Sequence, residues 1–97
     1  MPPPYELLYD RGYLDDLQAI DPFDIPIVRE ALLRLEHQAE QQTRNRRRLR
    51  LPISWCPAAT WQVRVRDYRV LYDVHGGTVT ILRLRFKGSS STEEMGP

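Results

Sequence analysis

The chain is poor in cysteine and histidine, with one of the first and two of the second among 97 residues. Cys56 has no second cysteine with which to form an internal disulfide. His37 and His75 do not stand at metal-ligand spacing, so we expect neither a metal nor another cofactor. No apolar run reaches the roughly eighteen residues of a membrane span, and the start lacks a signal-peptide profile. These absences predict a protein of the reducing cytoplasm without a membrane partner.

The length of the chain predicts one domain with a single modest core. We place that domain at residues 1–87. The closing segment, 88–97, is rich in serine, glycine and acidic residues and has no helix or strand pattern. It is therefore predicted to be a flexible tail.

Acidic and basic residues are divided unevenly along the sequence, although the net charge is only +1. Residues 1–43 hold nine acids and three arginines, whereas residues 44–87 hold eleven bases and two acids. Such a split is typical of a protein whose basic part binds an anionic partner. The alternative is that the two halves neutralise each other within one domain.

The predicted order of elements is one strand, two helices and three strands. Residues 5–9 form a short apolar strand. Asp10 is a candidate N-cap for a helix over 11–20, and Asp24 for a second helix that ends near residue 42. Helices on one face of a mainly antiparallel sheet define an α+β fold.

Three later segments alternate apolar and polar residues, which is typical of half-buried strands: 61–66, 68–74 and 79–86. We predict one turn at Arg66-Asp67 and another over residues 75–77, His-Gly-Gly. The three strands then form an antiparallel meander packed against the helices.

The register of this meander follows from keeping apolar side chains together, because a slip of one residue exchanges the two faces. The first turn places Arg64 opposite Arg69. The second places Arg69 opposite Arg83 and Val70 opposite Leu82. One face, predicted to pack on the helices, carries Trp61, Val63, Val65, Tyr68, Val70, Tyr72, Leu82 and Leu84. The other face carries Arg64, Arg69 and Arg83 abreast, with Arg85 one step along.

Arginines abreast on neighbouring strands repel one another, at a cost of a few tenths to about 1 kcal/mol per pair. Asp67 and Asp73 are too few to neutralise them. A phosphate backbone would do so, because the arginine fork binds two phosphate oxygens at once. We therefore predict a nucleic-acid-binding face. The alternative is a solvated face that is partly paired with the acidic half.

A second basic cluster, residues 43–50, includes Arg46, Arg47 and Arg48. These three are candidate nucleic-acid-binding residues, or contacts for an acidic partner. Arginines at a helix end also complement the helix dipole, so a structural interpretation stays open.

Residues 61–74, WQVRVRDYRVLYDV, resemble the strand signature of the RelE/ParE family of toxins, in which W-x-V/I-R-V-G-D-Y-R-V leads into Y-E/D-V. Residues 78–84 resemble the final strand of that family. Residues 43–49, TRNRRRL, resemble a T-R-N-R-K-x-L segment of one branch. The resemblance covers residues 43–87, whereas the first half agrees only in the order of its elements.

The resemblance implies the toxin of a type II toxin–antitoxin system, neutralised by a cognate antitoxin protein. RelE-like members are endoribonucleases that cut messenger RNA on the ribosome and so inhibit translation, whereas ParE-like members inhibit DNA gyrase. In the nuclease branch, basic residues bind the scissile phosphate as the ribose 2′-OH attacks. Carried over by position, the predicted catalytic residues are Arg64, Arg69 and Lys87. Arg66, Arg83 and Arg85 join the predicted nucleic-acid-binding residues.

Three positions differ from the family pattern. Arg66 stands at a turn position that usually holds glycine, Arg85-Phe86-Lys87 replaces a G-H-R-like group, and residues 88–97 contain no tyrosine. General acid–base groups typically contribute about 10²–10⁴-fold in rate. A second interpretation is therefore a gyrase inhibitor, or an inactive toxin that still binds its antitoxin.

Overall fold

Five strands and three short helices make up the regular structure of residues 4–86, the part of the chain that this computed structural model describes. They are β1 (Glu6–Tyr9), α1 (Arg11–Leu17), α2 (Ile25–Leu33), α3 (Leu35–Gln38), β2 (Arg46–Arg48), β3 (Trp61–Val65), β4 (Tyr68–His75) and β5 (Thr78–Phe86), with a 3-10 turn at Pro22–Asp24. The predicted α+β class is confirmed. The predicted catalytic Lys87 and the predicted tail, 88–97, lie outside the described residues.

The strands form one sheet in the order β1-β5-β4-β3-β2. β1 runs parallel to β5, and the other neighbours are antiparallel. The predicted meander is therefore present, and the predicted first strand joins the same sheet. The sequence did not predict β2, whose three residues are all arginine and carry no apolar alternation. Two backbone hydrogen bonds between Thr43 and Arg46 turn the chain into this strand.

The helices begin at the predicted positions but are shorter, and the predicted cap of the second one is not formed, because the Asp24 carboxylate accepts a hydrogen bond from the hydroxyl of Tyr68 instead of from α2. The Asp10 carboxylate accepts a hydrogen bond from the backbone N–H of Gly12 at 3.0 Å, so it caps α1 as expected. The second helix is interrupted at Arg34 and ends at Gln38 rather than near residue 42. The carbonyl oxygen of Gln38, at this helix end, accepts hydrogen bonds from the guanidinium of Arg46 at 3.0 Å and from the backbone N–H of Gln41 at 3.1 Å.

The main core lies between the helices and one face of the sheet. The helices contribute Tyr13, Val28, Leu32, Leu35 and Ala39, and the strands contribute Trp61, Val63, Val65, Tyr68, Val70, Tyr72, Val79, Ile81 and Leu84. All of the predicted core-facing residues of β3 and β4 are in this set. None of the helices among residues 4–86 is long and apolar enough to cross a membrane.

The register between β3 and β4 is the predicted one, with Arg64 opposite Arg69 and Val63 opposite Val70. The register between β4 and β5 differs from the prediction. The turn holds two residues rather than three, because His75 pairs with Thr78. Its first residue, Gly76, has a φ of 60°, a conformation that glycine adopts without steric cost.

A β-bulge then shifts the pairing of β5 by one residue. Tyr72 pairs with Ile81, but Leu71 pairs with Arg83, which leaves Leu82 as the extra residue of β5. Beyond the bulge, Arg69 lies opposite Arg85 rather than Arg83. The bulge also removes Leu82 from the helix-facing core predicted for it.

The second face of the sheet is partly covered, whereas the sequence predicted an open one. Residues 49–60 fold across it, and Ile53, Cys56 and Ala59 pack on Leu71 of β4. Leu49, Trp55 and Leu82 pack around this smaller cluster. At the centre of β4 and β5 the sheet is therefore apolar on both faces. The charged residues of the second face lie around the segment 49–60 that covers it.

Arg66 is the non-glycine residue of the described chain with a positive φ, at 55°. Left-handed backbone costs an L-residue about 1–2 kcal/mol, part of which glycine recovers. We expect Arg66→Gly to raise the free energy of unfolding by up to about 1 kcal/mol, measured by urea denaturation. Asp67→Gly, in the same turn, should not stabilise the protein. Equal effects of the two substitutions would contradict this explanation.

Candidate nucleic-acid-binding face

Side chains that point away from the helices form a basic surface, here called the arginine face. It carries Arg47, Gln62, Arg64, Arg69, Arg83 and Arg85, because the pairing register places these residues on the side of the sheet opposite the core. The row that lies abreast on three strands is Arg64, Arg69 and Arg85. Arg83 is one step along, opposite Leu71, so the predicted places of Arg83 and Arg85 are exchanged.

Arg64 and Arg69 are the closest pair in this row. The backbone N–H of Arg64 donates to the carbonyl of Asn45 at 2.6 Å, on the β2 side. The pair across β3 and β4 is therefore not hydrogen-bonded, and in such pairs the Cα atoms are only about 4.5 Å apart. Neither arginine forms an ion pair with any residue in 4–86.

The electrostatic environment of Arg69 is unfavourable for its own charge. Burial lowers the pKa of its guanidinium, and the positive charges of Arg64 and Arg47 lower it further. A cluster in which like charges disfavour one another gains free energy when an anion binds. A bound phosphate would relieve the repulsion between Arg64 and Arg69.

A cavity of about 310 Å³ opens beside this pair. Its lining is almost entirely cationic or amide: Arg44, Asn45, Arg46, Arg47, Gln62, Arg64 and Arg69. Gln62 is buried on the arginine face. Arg44 and Gln62 were not among the predicted site residues. Alternation along β3 could have identified Gln62, which stands two residues before Arg64.

The three consecutive arginines of β2 point to different places, because side chains alternate along a strand. Arg47 pairs with Gln62 and lies on the arginine face. Arg46 pairs with Val63 on the helix side and is 7% exposed. Arg48 is exposed and pairs with Trp61, which faces the core. Of the three predicted nucleic-acid-binding residues, we carry only Arg47 into the proposed site.

Arg83 and Arg85 are both paired with an aspartate of α1. Asp16 accepts hydrogen bonds from Nε of Arg83 at 2.8 Å and from Nη1 of Arg85 at 2.6 Å. Both guanidinium groups also stack on the ring of Trp55, at 5.5 and 4.9 Å from its centroid. Neither Asp16 nor Trp55 was a predicted site residue, and no local pattern marks them, since each meets the strand through the tertiary fold.

Arg66, the last of the predicted nucleic-acid-binding residues, is exposed in the β3–β4 turn. Its carbonyl oxygen accepts a hydrogen bond from Nε of Arg64 at 3.2 Å. It therefore helps to orient Arg64 and stands next to the cluster rather than in its cavity.

Neither histidine of the described residues lies on the strands beside Arg64 and Arg69 at the cluster itself. His37 belongs to α3, and His75 is six residues from Arg69 along β4, or about 20 Å. The hydroxyls of Tyr68 and Tyr72 donate to Asp24 and to the carbonyl of Ala39. Within residues 4–86, no group of three or more His, Cys, Asp or Glu residues is placed to hold a metal ion.

Comparisons with known proteins agree with the fold and with the strand signature. The family described as ParE toxin of type II toxin–antitoxin system, parDE, matches residues 7–87. No curated protein matches the chain.

Similar solved structures include toxin–antitoxin complexes from three organisms. RelBE2 from Mycobacterium tuberculosis is 26% identical, with a TM-score of 0.69 over 89% of this chain and 99% of that one. The archaeal RelE–RelB complex from Pyrococcus horikoshii is 20% identical, with a TM-score of 0.68 over 89% and 98%. The chromosomal ParDE system of P. aeruginosa is 18% identical, with a TM-score of 0.60 over 84% and 95%. The chain belongs to the RelE/ParE superfamily of toxins from type II toxin–antitoxin systems.

Proposed function

We propose that this toxin is an endoribonuclease that cuts messenger RNA on the ribosome and so inhibits translation in the cytoplasm. The observation that carries the proposal is the pair Arg64 and Arg69. These residues lie directly opposite each other, without an ion-pair partner in residues 4–86, beside a cationic cavity. Single-stranded RNA supplies closely spaced phosphates for such a surface, and arginine forks bind phosphate oxygens in a bidentate manner.

The proposed reaction is attack of a ribose 2′-oxygen on the adjacent phosphorus. The P–O bond to the 5′-oxygen of the next nucleotide breaks, which yields a 2′,3′-cyclic phosphate and a 5′-hydroxyl. Arg64 and Arg69 would stabilise the extra negative charge on the phosphoryl oxygens as the 2′-oxygen attacks. Water would take the proton of the 2′-OH and return one to the 5′-oxygen that leaves, while Lys87 would bind the phosphate together with Arg64 and Arg69. Without a positioned acid and base, the rate would be about 10²–10⁴-fold lower.

The experiment is controlled expression of the chain in bacterial cells, followed by mapping of 5′-hydroxyl ends on messenger RNA. A matched pair of reporter transcripts, with and without a start codon, separates cleavage on the ribosome from cleavage of free RNA. We expect cuts inside the coding region of the translated reporter alone. Intact transcripts in growth-arrested cells would overturn the nuclease proposal.

A second candidate function is inhibition of DNA gyrase without nuclease activity. The distance of His75 from the cluster and the engaged hydroxyls of Tyr68 and Tyr72 favour it, because none of these three groups is placed to act as an acid or base beside Arg64 and Arg69. A supercoiling assay with purified gyrase tests this candidate. Inhibition together with intact transcripts would establish it, and no inhibition would count against it.

The proposed protein partner is a cognate antitoxin, as in the toxin–antitoxin complexes to which this fold is similar. Co-expression with a small protein encoded beside this chain should restore growth. The two proteins should then purify as one complex.

A further inference from the structure

Asp16 makes four polar contacts with β5, although it belongs to α1. One oxygen, Oδ2, accepts from Nε of Arg83 at 2.8 Å and from the backbone N–H of Leu84 at 2.9 Å. The other, Oδ1, accepts from Nη1 of Arg85 at 2.6 Å and from Nη2 of Arg83 at 3.3 Å. Burial raises the pKa of Asp16, but these hydrogen bonds outweigh burial and hold it below its usual value. The carboxylate is therefore a charged partner of both arginines.

The position of Asp16 is fixed by the close packing of α1 on β5. The backbone N–H of Asp10 donates to the carbonyl of Ile81 at 2.8 Å, where β1 ends and α1 begins. A Cβ on Gly12 would come within 2.7 Å of Cδ of Arg83 and 3.0 Å of the carbonyl oxygen of Leu82. Glycine at this position lets the helix approach closely enough for Asp16 to reach across the strand edge.

The arginine face is therefore divided into two parts of different charge. Arg64 and Arg69 lack an ion-pair partner among residues 4–86, whereas Arg83 and Arg85 share Asp16. Arg85 lies directly opposite Arg69 on the next strand, only about 5.5 Å away between Cα atoms. If Asp16 did not pair with Arg85, a polyanion bound at Arg69 would extend onto Arg85 without a gap.

We propose that Asp16 is an internal anion that ends the nucleic-acid-binding surface at Arg69 and so limits how many phosphates the face binds. This inference rests on the proposed function in that it takes the arginine face to bind nucleic-acid phosphates. Asp16 occupies the fork of Arg83 through Nε and Nη2 and neutralises Arg85 through Nη1, so a further phosphate would have to compete with this carboxylate for both arginines. Trp55 holds the same two guanidinium groups against the sheet, so they stay on the face when the carboxylate charge is removed.

The test compares Asp16→Asn with Asp15→Asn, which makes the same charge change one residue away. Asp15 is exposed and pairs with Arg11 at 3.5 Å on the surface of α1. Two probes are used. The first is a fluorescein-labelled single-stranded RNA, an oligouridylate, and the second is inorganic polyphosphate. Affinity is measured by anisotropy, with polyphosphate as competitor, at a series of salt concentrations. The slope of log affinity against log salt counts neutralised phosphates, at about 0.7 per contact for a single strand.

We expect the slope for RNA to steepen by about 1.4 in Asp16→Asn, because two arginines are released, and to stay unchanged in Asp15→Asn. Equal slopes in the two variants would overturn the inference. If Asp16→Asn does not fold, Arg85→Gln decides. Its slope should equal that of the unaltered chain, whereas a loss of about 0.7 would show that Arg85 already binds phosphate and would overturn the inference.

Failure of the proposed function gives a different result. A chain that binds polyphosphate but not RNA would contradict the nuclease proposal. The polyphosphate slopes of the same variants would still decide the role of Asp16.

Discussion

Cells that express the chain with Arg69→Ala are expected to keep growing, whereas cells that express the unaltered chain stop. Arg69 is the middle member of the row abreast on β3, β4 and β5, with Arg64 on one side and Arg85 on the other. Removing one preorganised donor to a developing oxyanion typically costs about 10²–10³-fold in rate. Growth curves and the yield of 5′-hydroxyl ends measure the loss.

The matched control for Arg69→Ala is Arg11→Ala, which removes the same charge from a side chain that is 89% exposed on α1. This control should stay toxic. The purified Arg69→Ala protein should be at least as stable to urea as the unaltered chain, because burial and two like charges disfavour the charged form of Arg69 in the folded state. Growth arrest that persists in Arg69→Ala would refute the site assignment.

Leu32→Ala is expected to produce the largest loss of stability among the predictions made for this fold. Leu32 is 1% exposed in the core between α2 and the sheet. Such truncations cost about 2–5 kcal/mol, from lost burial and from the cavity that remains. That is a large fraction of the roughly 5–15 kcal/mol that stabilises a domain. In a domain of this size, each kcal/mol lowers the melting temperature by about 4–8 °C.

The next residue of the same helix supplies the control for Leu32. Leu33 is 51% exposed, so Leu33→Ala should change the free energy of unfolding by less than about 0.5 kcal/mol. Thermal unfolding followed by circular dichroism compares the two variants. Similar melting temperatures for both would show that the core does not lie where the structure has it.

The sequence predicted the parts of this fold that depend on local alternation. The pairing of β3 with β4 follows from a two-residue turn and from the need to bury Val63 and Val70 together. The same alternation predicted that Arg64 and Arg69 share the opposite face. The α+β class followed from the order of the elements.

The pairing of β5 could not be predicted from alternation, because β5 contains two conflicting patterns. Val79 and Ile81 are apolar at odd positions, whereas Leu82 and Leu84 are apolar at even positions. A single register buries one pair and exposes the other. The bulge at Leu82 resolves the conflict, since Val79, Ile81 and Leu84 all reach the helix-side core while Leu82 packs on the other side.

Asp16 and Trp55 could not be predicted for a different reason. The contact between Asp16 and Arg85 joins residues 69 positions apart, and it depends on how closely α1 packs on β5. Trp55 reaches Arg85 through a loop whose path is set by the burial of Ile53 and Cys56. Neither the contact of Asp16 with Arg85 nor that of Trp55 with Arg85 can be predicted from a local pattern of residue types.

The pairing of β1 with β5 has a consequence for when the sheet is completed during synthesis. Glu6 pairs with Thr78, so the first strand meets its neighbour only at the far end of the described chain. A ribosome delivers residues in order, and contacts of such long separation form late. Until residue 86 has emerged, Asp16 has no arginines to bind and Arg69 has no Arg85 beside it. The basic residues of β3 and β4 are thus synthesised before the strand that completes the sheet, and Asp16 meets its two arginines only when the last described strand is in place.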